Sequence, residues 1–277
     1  MYFIFLNSRF TYIVLLLFLV KFNYSQIGIS TGNLTYTQNF NSLASTGTGI
    51  SWTNNSTITG WYLYNGTGAA LATYIADIGS SNTGSYYSFG AASNSERALG
   101  STGSGGAYFG SPASGAVAGY LSVAFTNNTS STIDSIMIQY DGEQWRNGGN
   151  TSTQKLTLEY GLGTNFSSVT TWNVAGTAFD FTSPVVGATA ASVVGNTAGK
   201  VANIGGVISS LGWSSGATLW IRWKDLNDAG NDHGLAIDSF QFTAIACVPI
   251  NQVITLQPQT QSVCEGSNMT LQVKGTN

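Results

Sequence analysis

Residues 133–140 read IDSIMIQY, which puts Ile136, Ile138 and Tyr140 on one side of a pleated chain and Gln139 on the other. That period of two is the pattern of a half-buried strand. It recurs at Val123 and Phe125, at Leu156, Leu158 and Tyr160 with Lys155 and Glu159 between or beside them, and at Leu219, Ile221 and Trp223. Gly, Asn and Ser break the chain every roughly eight to fifteen residues, and Val, Ile, Thr, Tyr, Phe and Trp fill the segments between, which is the spacing of an all-β protein. Apart from a weak candidate over residues 69–76, no stretch sustains a helical period.

Residues 234–246, GLAIDSFQFTAIA, depart from simple alternation. Leu235 and Ile237 share one parity and Phe240 and Phe242 the other, so the apolar phase slips at Asp238 and Ser239. Either a β-bulge returns both pairs to one core, or the strand is central and covered on both faces. In the first third, WYLY (61–64) carries aromatic residues on both parities, so one face is exposed or covered by a loop. An exposed face would suit stacking on a sugar ring.

The 277 residues are 43% hydrophobic and only 8% charged, with a formal net charge of −3. Such a chain buries a large core and keeps its solubility through hydroxyls and amides. Nine scattered Lys and Arg do not make the basic footprint that phosphates require, which argues against a nucleic-acid partner. At the N-terminus, Arg9 precedes the apolar run TYIVLLLFLV (11–20), and small Ser25 follows. The run has the size of a signal-peptide core, with cleavage expected near Ser25 and Gln26. An uncleaved anchor is the alternative, since apolar residues begin at Tyr2; no later segment is long and apolar enough to span a bilayer. Cys247 and Cys264 come late, so residues 26–246 are expected to fold without a disulfide. The two thiols pair with each other or with cysteines past Asn277.

Chemistry concentrates in DLNDAGNDHGLAIDSF (225–240), which holds four of the twelve acidic residues and the only histidine. Asp225, Asn227, Asp228, Asn231 and Asp232 offer the oxygen ligands that a hard cation such as calcium takes. An EF-hand is excluded, because the fifth and twelfth positions counted from Asp225 are Ala229 and Ala236. The same residues also suit a loop whose Asp and Asn side chains bind neighbouring backbone amides. His233 would have to serve any histidine-based triad, yet no G-x-S-x-G turn presents a serine, and a hydrogen-bonded structural role fits it better.

A second polar group, DGEQWRNGGN (141–150), follows the IDSIMIQY strand. Trp145 is placed to stack on a sugar, with Glu143 and Arg146 to bond its hydroxyls, and Asp232 and His233 complete the expected ligand-binding set. Glu143 with Asp228 or Asp232 would also be the minimum carboxylate pair for glycoside hydrolysis. An ion pair between an acid and Arg146 is the structural alternative.

GEQWRNGGN (142–150) and RWKDLNDAGNDHGLAIDSF (222–240), with FNSLASTGTGISWTNNSTITGWY (40–62) and YSFGAASNSERALGS (87–101), resemble a recurring module of secreted bacterial multidomain proteins. The resemblance covers about residues 30–246. It implies a jelly-roll, lectin-like antiparallel β-sandwich, and no catalytic residue transfers with it. The chain reads AIDSF where the family pattern is AIDDF, so one oxygen ligand is missing at Ser239. Farther on, QPQTQSVCEGSNMTLQV (257–273) resembles the opening strands of an immunoglobulin-like module.

The organisation expected is therefore a signal peptide (1–25), a β-sandwich (26–246), a linker (247–257) and a truncated immunoglobulin-like β segment (258–277). The function expected is noncatalytic binding or adhesion, directed at an extracellular glycan or surface polymer. It would act secreted or at the bacterial cell surface, with no membrane insertion after signal cleavage and with further domains past Asn277. The alternative is a hydrolytic β-sandwich, or an accessory domain of a downstream enzyme.

Overall fold

The computed structural model describes residues 26–245 and the strands Val253–Leu256 and Lys274–Thr276. The expected signal peptide, Cys247, Cys264 and nearly all of the immunoglobulin-like segment lie outside the described residues. In chain order the first strands are β1 (Ile27–Ile29), β2 (Thr35–Gln38), β3 (Ile50–Ser51), β4 (Trp61–Asn65), β5 (Thr73–Asp77), β6 (Ser85–Phe89), β7 (Ala98–Thr102) and β8 (Val117–Asn127). The next are β9 (Ser135–Asn147), β10 (Lys155–Leu162), β11 (Asn173–Val174), β12 (Phe181–Thr182), β13 (Ala191–Ser192), β14 (Lys200–Ile208), β15 (Thr218–Leu226) and β16 (Gly234–Ile245). Last come β17 (Val253–Leu256) and β18 (Lys274–Thr276), which pair antiparallel with each other. Helix among the described residues is confined to three short 3-10 turns, none able to cross a membrane.

Two sheets make an all-β sandwich. The first has β8, β15 and β10 at its centre, with β1 and β4 along the free edge of β8 and β11 and β12 along β10. The second is built on the β9–β16 pair, with β13 and β14 beyond β9, and β2 and β7 beside β16, then β6, β5 and β3. Most pairs are antiparallel, but β1 runs parallel to β8 and β5 parallel to β6, so both sheets are mixed. The helix candidate at 69–76 is overturned: β5 occupies its second half, and Tyr74 is buried edge-on against Trp52 at 6.0 Å.

The residues that alternate in sequence face each other across the sandwich. Val123, Phe125, Leu158, Ile221 and Trp223 from the first sheet pack on Ile136, Ile138, Tyr140, Leu235, Ile237, Phe240 and Phe242 from the second. Rings lock the layers: Phe125 stacks on Phe242 at 4.0 Å, and Trp223 meets Tyr140 at 5.4 Å and Phe240 at 5.5 Å, both edge-on. Each such buried side chain contributes about 1.5–3 kcal/mol.

Of the two readings of the phase slip, the bulge is what the chain adopts. Asp238 pairs with Asp141 and Gln241 with Gln139, so β16 carries one extra residue there. Ser239 absorbs the turn at φ 48°, a left-handed conformation that costs an L-residue about 1–2 kcal/mol. Leu235, Ile237, Phe240 and Phe242 thereby all reach the core, while Asp238 stays on the outer face.

Candidate functional site

At one rim of the sandwich the loop joining β15 to β16 is held by its own neighbours. Asp225 continues the inward phase of Ile221 and Trp223, so its carboxylate stands at the end of the core. There it accepts from Ser101 Oγ of the facing sheet at 2.7 Å and from the backbone N–H groups of Leu226 and Gly103. Burial, reinforced by the charge of Asp228, pushes it up to about 7. Asp232 Oδ1 accepts from the Asp228 N–H at 2.8 Å, and burial with the nearby Asp225 and Asp228 charges pushes that carboxyl up to about 8.

His233 is 1% exposed, and both ring nitrogens are engaged. Nδ1 accepts from the Gly148 N–H at 2.9 Å, which leaves Nε2 as the donor to the Ser152 carbonyl at 3.2 Å. Burial lowers its proton affinity below the usual imidazole value, consistent with a neutral ring. Asn150 Nδ2 donates to the carbonyls of Ala229 and Asn231, and Gln154 Nε2 donates to Asn231 again. The loop is thus stapled to the β9–β10 turn. Asp225, Asp228 and Asp232 do not bring their oxygens together; among the described residues, Glu96, Glu143 and Asp238 are the acids that do so within 4.8 Å.

The polar end of β9 sits beside that loop because β9 has a bulge of its own. Gly234 pairs with Arg146 and Leu235 with Gln144, so Trp145 is the extra residue. Glu143, Trp145 and Arg146 all lie on the outer face of the second sheet, and they part company there. Trp145 is 2% exposed, stacked at 6.4 Å on Phe89 and roofed by Gly195, where any Cβ would fall 2.2 Å from the indole. No ring face is left for a sugar. Glu143 is 0% exposed; Trp145 Nε1 donates to its Oε2 at 2.9 Å, and burial pushes it up to about 8. Arg146 reaches the other way, donating through Nη1 to the carbonyls of Gly79 and Ser80 at 3.1 and 3.0 Å.

Arg146 and the rim loop meet in one polar cleft of about 340 Å³, whose lining includes Asn82, Ser104, Arg146, Asn227, Asn231 and Asp232. The site residues expected from sequence therefore divide. Arg146, Asn227, Asn231 and Asp232 converge on the cleft; Asp225 and His233 brace it from beneath; Glu143 and Trp145 turn away to a separate cluster with Glu96 and Asp238. Asn82 and Ser104 belong to Gly/Ser/Asn-rich turns that look like every other turn in this sequence.

The outward aromatics of β4 lie on the opposite side of the sandwich. Tyr62 and Tyr64 pack under the 3-10 turn Phe166–Ser168, with Tyr64 and Phe166 stacked at 4.0 Å. Beside them the Arg222 guanidinium is layered between Tyr120 and Trp172, 3.9 and 3.8 Å from their centroids, and ion-paired to Glu159 at 2.6 Å. That face is covered by a loop.

No family model matches the chain, and no curated protein does. Among solved structures, the CBM22-1 xylan-binding domain of Paenibacillus barcinonensis Xyn10C is 10% identical at a TM-score of 0.34, covering 74% of this chain and 100% of that domain. The CBM22-1-CBM22-2 tandem of the same protein is 12% identical, with a TM-score of 0.34 over 78% of this chain and 51% of the tandem. An arabinose-bound MgGH51 α-L-arabinofuranosidase is 13% identical, also at 0.34, over 79% of this chain and 29% of that enzyme. Likeness this distant transfers neither ligand nor site.

Proposed function

We propose that this β-sandwich is a noncatalytic glycan-binding or adhesion module, acting secreted or at the cell surface within a larger modular protein. The rim cleft carries the reading. Its lining brings residues with amide, hydroxyl, guanidinium and carboxyl groups from separate segments around a space at the small end of ligand clefts, suited to a saccharide unit. Vicinal hydroxyls both donate and accept, and so do these groups. With its affinity for a proton raised, Asp232 carries one part of the time near neutrality and can donate as well as accept. The rigid bracing of the loop by His233 and Gln154 lowers the ordering cost of binding.

The hydrolytic alternative needs two carboxyls facing a substrate, and Glu143 is closed off beneath the sheet's covering loop. A glycan array and calorimetry on the chain from Gln26 onward test the binding reading. Expected is a defined set of bound glycans whose affinity falls about tenfold or more, about 1.4 kcal/mol, in Asp232→Asn and in Asn231→Ala. An array without binding, or binding that neither substitution weakens, overturns it.

A further inference from the structure

On the outer face of the second sheet, three carboxylates distant in sequence meet. Glu96 comes from the segment just before β7, Glu143 from β9 and Asp238 from the bulge of β16, with one oxygen of each within 4.8 Å of the others. A donor holds one oxygen of each: Asn196 Nδ2 on Glu96 Oε2 at 2.5 Å, Trp145 Nε1 on Glu143 Oε2 at 2.9 Å, and Ser239 Oγ on Asp238 Oδ2 at 3.1 Å. The second oxygen of each, Glu96 Oε1, Glu143 Oε1 and Asp238 Oδ1, is buried with no hydrogen-bond partner. Glu143 is 0% and Asp238 6% exposed, so water does not supply the missing bonds to these two from bulk.

No ion pair among the described residues involves any of the three. Lys200 is ion-paired to Asp141 at 2.8 Å and Arg97 turns its Nε to Ser88 Oγ at 2.8 Å, so their charges are felt by Glu143, Asp238 and Glu96 without a direct contact. Three clustered acids, each with an unanswered oxygen and none in an ion pair, are a costly arrangement for an empty protein. We propose that Glu96, Glu143 and Asp238 bind a divalent cation of calcium type, which ties the segment before β7, strand β9 and the β16 bulge together.

The donor set is oxygen only, which selects a hard cation over zinc or copper. Oxygens bound to one calcium at about 2.3–2.6 Å stand at most about 4.6–5.2 Å apart, whereas magnesium at about 2.0–2.1 Å draws them within about 4.2 Å. Separations within 4.8 Å lie inside the reach of the larger ion. Three carboxylates leave coordination positions for waters, which enter past the half-buried Glu96. Burial raises the proton affinity of Glu143 and of Asp238, so protons compete with the ion for the same oxygens. The site is separate from the rim cleft and stands or falls independently of glycan binding.

Thermal melts and calorimetry on the purified chain, stripped with EGTA and titrated with calcium chloride, test it. Expected is a Tm rise of about 5–10 °C at a hundredfold excess of calcium over its Kd. The rise disappears in Glu143→Gln and Asp238→Asn, which keep shape and lose charge, and persists in Asp228→Asn of the rim loop. Should Glu143→Gln fail to fold, Glu96→Gln at the half-buried edge must also abolish it. Terbium emission excited through tryptophan gives a readout independent of stability, because the Trp145 indole adjoins the site; calcium displaces it, and Asp238→Asn removes it. A wild-type chain with no calcium response overturns the proposal, as does a response lost in Asp228→Asn but kept in Asp238→Asn.

Discussion

In the rim loop, Asp225 takes hydrogen bonds from Ser101, Leu226 and Gly103, and His233 has a partner on each ring nitrogen. On the outer face of the second sheet, Glu143 takes one hydrogen bond, from Trp145, and keeps its other oxygen buried and unanswered. Both regions bury carboxyl groups, and both hold them above their ordinary proton affinity. The loop answers its polar atoms with protein and uses its outward side chains to line a cleft. The sheet face leaves its atoms for something the chain does not supply. A local run of acids has neighbouring backbone amides to satisfy it, whereas acids gathered on a sheet face from distant segments each keep one oxygen without a partner.

The strongest test of this contrast removes Ser239. The bulge is what lets Asp238 face Glu143 while Phe240 and Phe242 return to the core, and deleting one residue slips the register so that one apolar pair turns outward. At about 1.5–3 kcal/mol for each displaced side chain, the loss is about 3–6 kcal/mol, much of a domain's usual stability. Urea denaturation should show a large drop in midpoint, with the calcium response gone. A deletion that keeps the wild-type midpoint would mean that the strand does not need its two phases.

A smaller effect is expected at the loop. His233→Ala leaves the Gly148 N–H without its acceptor, an orphaned donor that costs about 1–3 kcal/mol. Hydrogen exchange at Gly148 should quicken and glycan affinity weaken, while the calcium shift on the sheet face remains. A loss below about 0.5 kcal/mol, the size of an ordinary surface change, would show that the loop is not braced through this ring.

The β architecture was legible because its signals are local. Alternation at Ile136, Ile138 and Tyr140 and the phase slip at Asp238 need only strand geometry to be read. The rim cleft was legible in part, since Arg146, Asn227, Asn231 and Asp232 stood out against a charge-poor background. Glu143 and Trp145 were singled out for a surface role, and the structure buries both, because whether a strand's outer face meets solvent depends on a loop fifty residues away. Glu96 carried no signal of a site. It is one polar residue in SNSER, and only the antiparallel pairing of β7 with β16 carries it to Asp238. Parallel pairing at β5–β6 was equally hidden, for alternation says nothing of strand direction.

Titration gives the finest comparison. Asp225 and Asp232 sit near 7 and 8 in the folded chain, against an ordinary 3.8. Between those values the folded state binds more protons than the unfolded one, so their contribution to stability is complete below about pH 4 and fades as pH rises through 7 and 8. Glu143, near 8, and Asp238, near 6, act in the same direction in an ion-free chain. Bound calcium would hold those two ionised and reverse their share, since the ion is lost as acid protonates its ligands. Melting temperature should accordingly fall from pH 5.5 to 8.5 in EGTA, and fall less or rise in saturating calcium. Asp232→Asn should flatten what slope remains in calcium and leave most of the EGTA slope intact. A melting temperature that climbs over this window in EGTA would mean that neither cluster keeps its protons, and that the carboxyls of both regions are answered by groups other than those described.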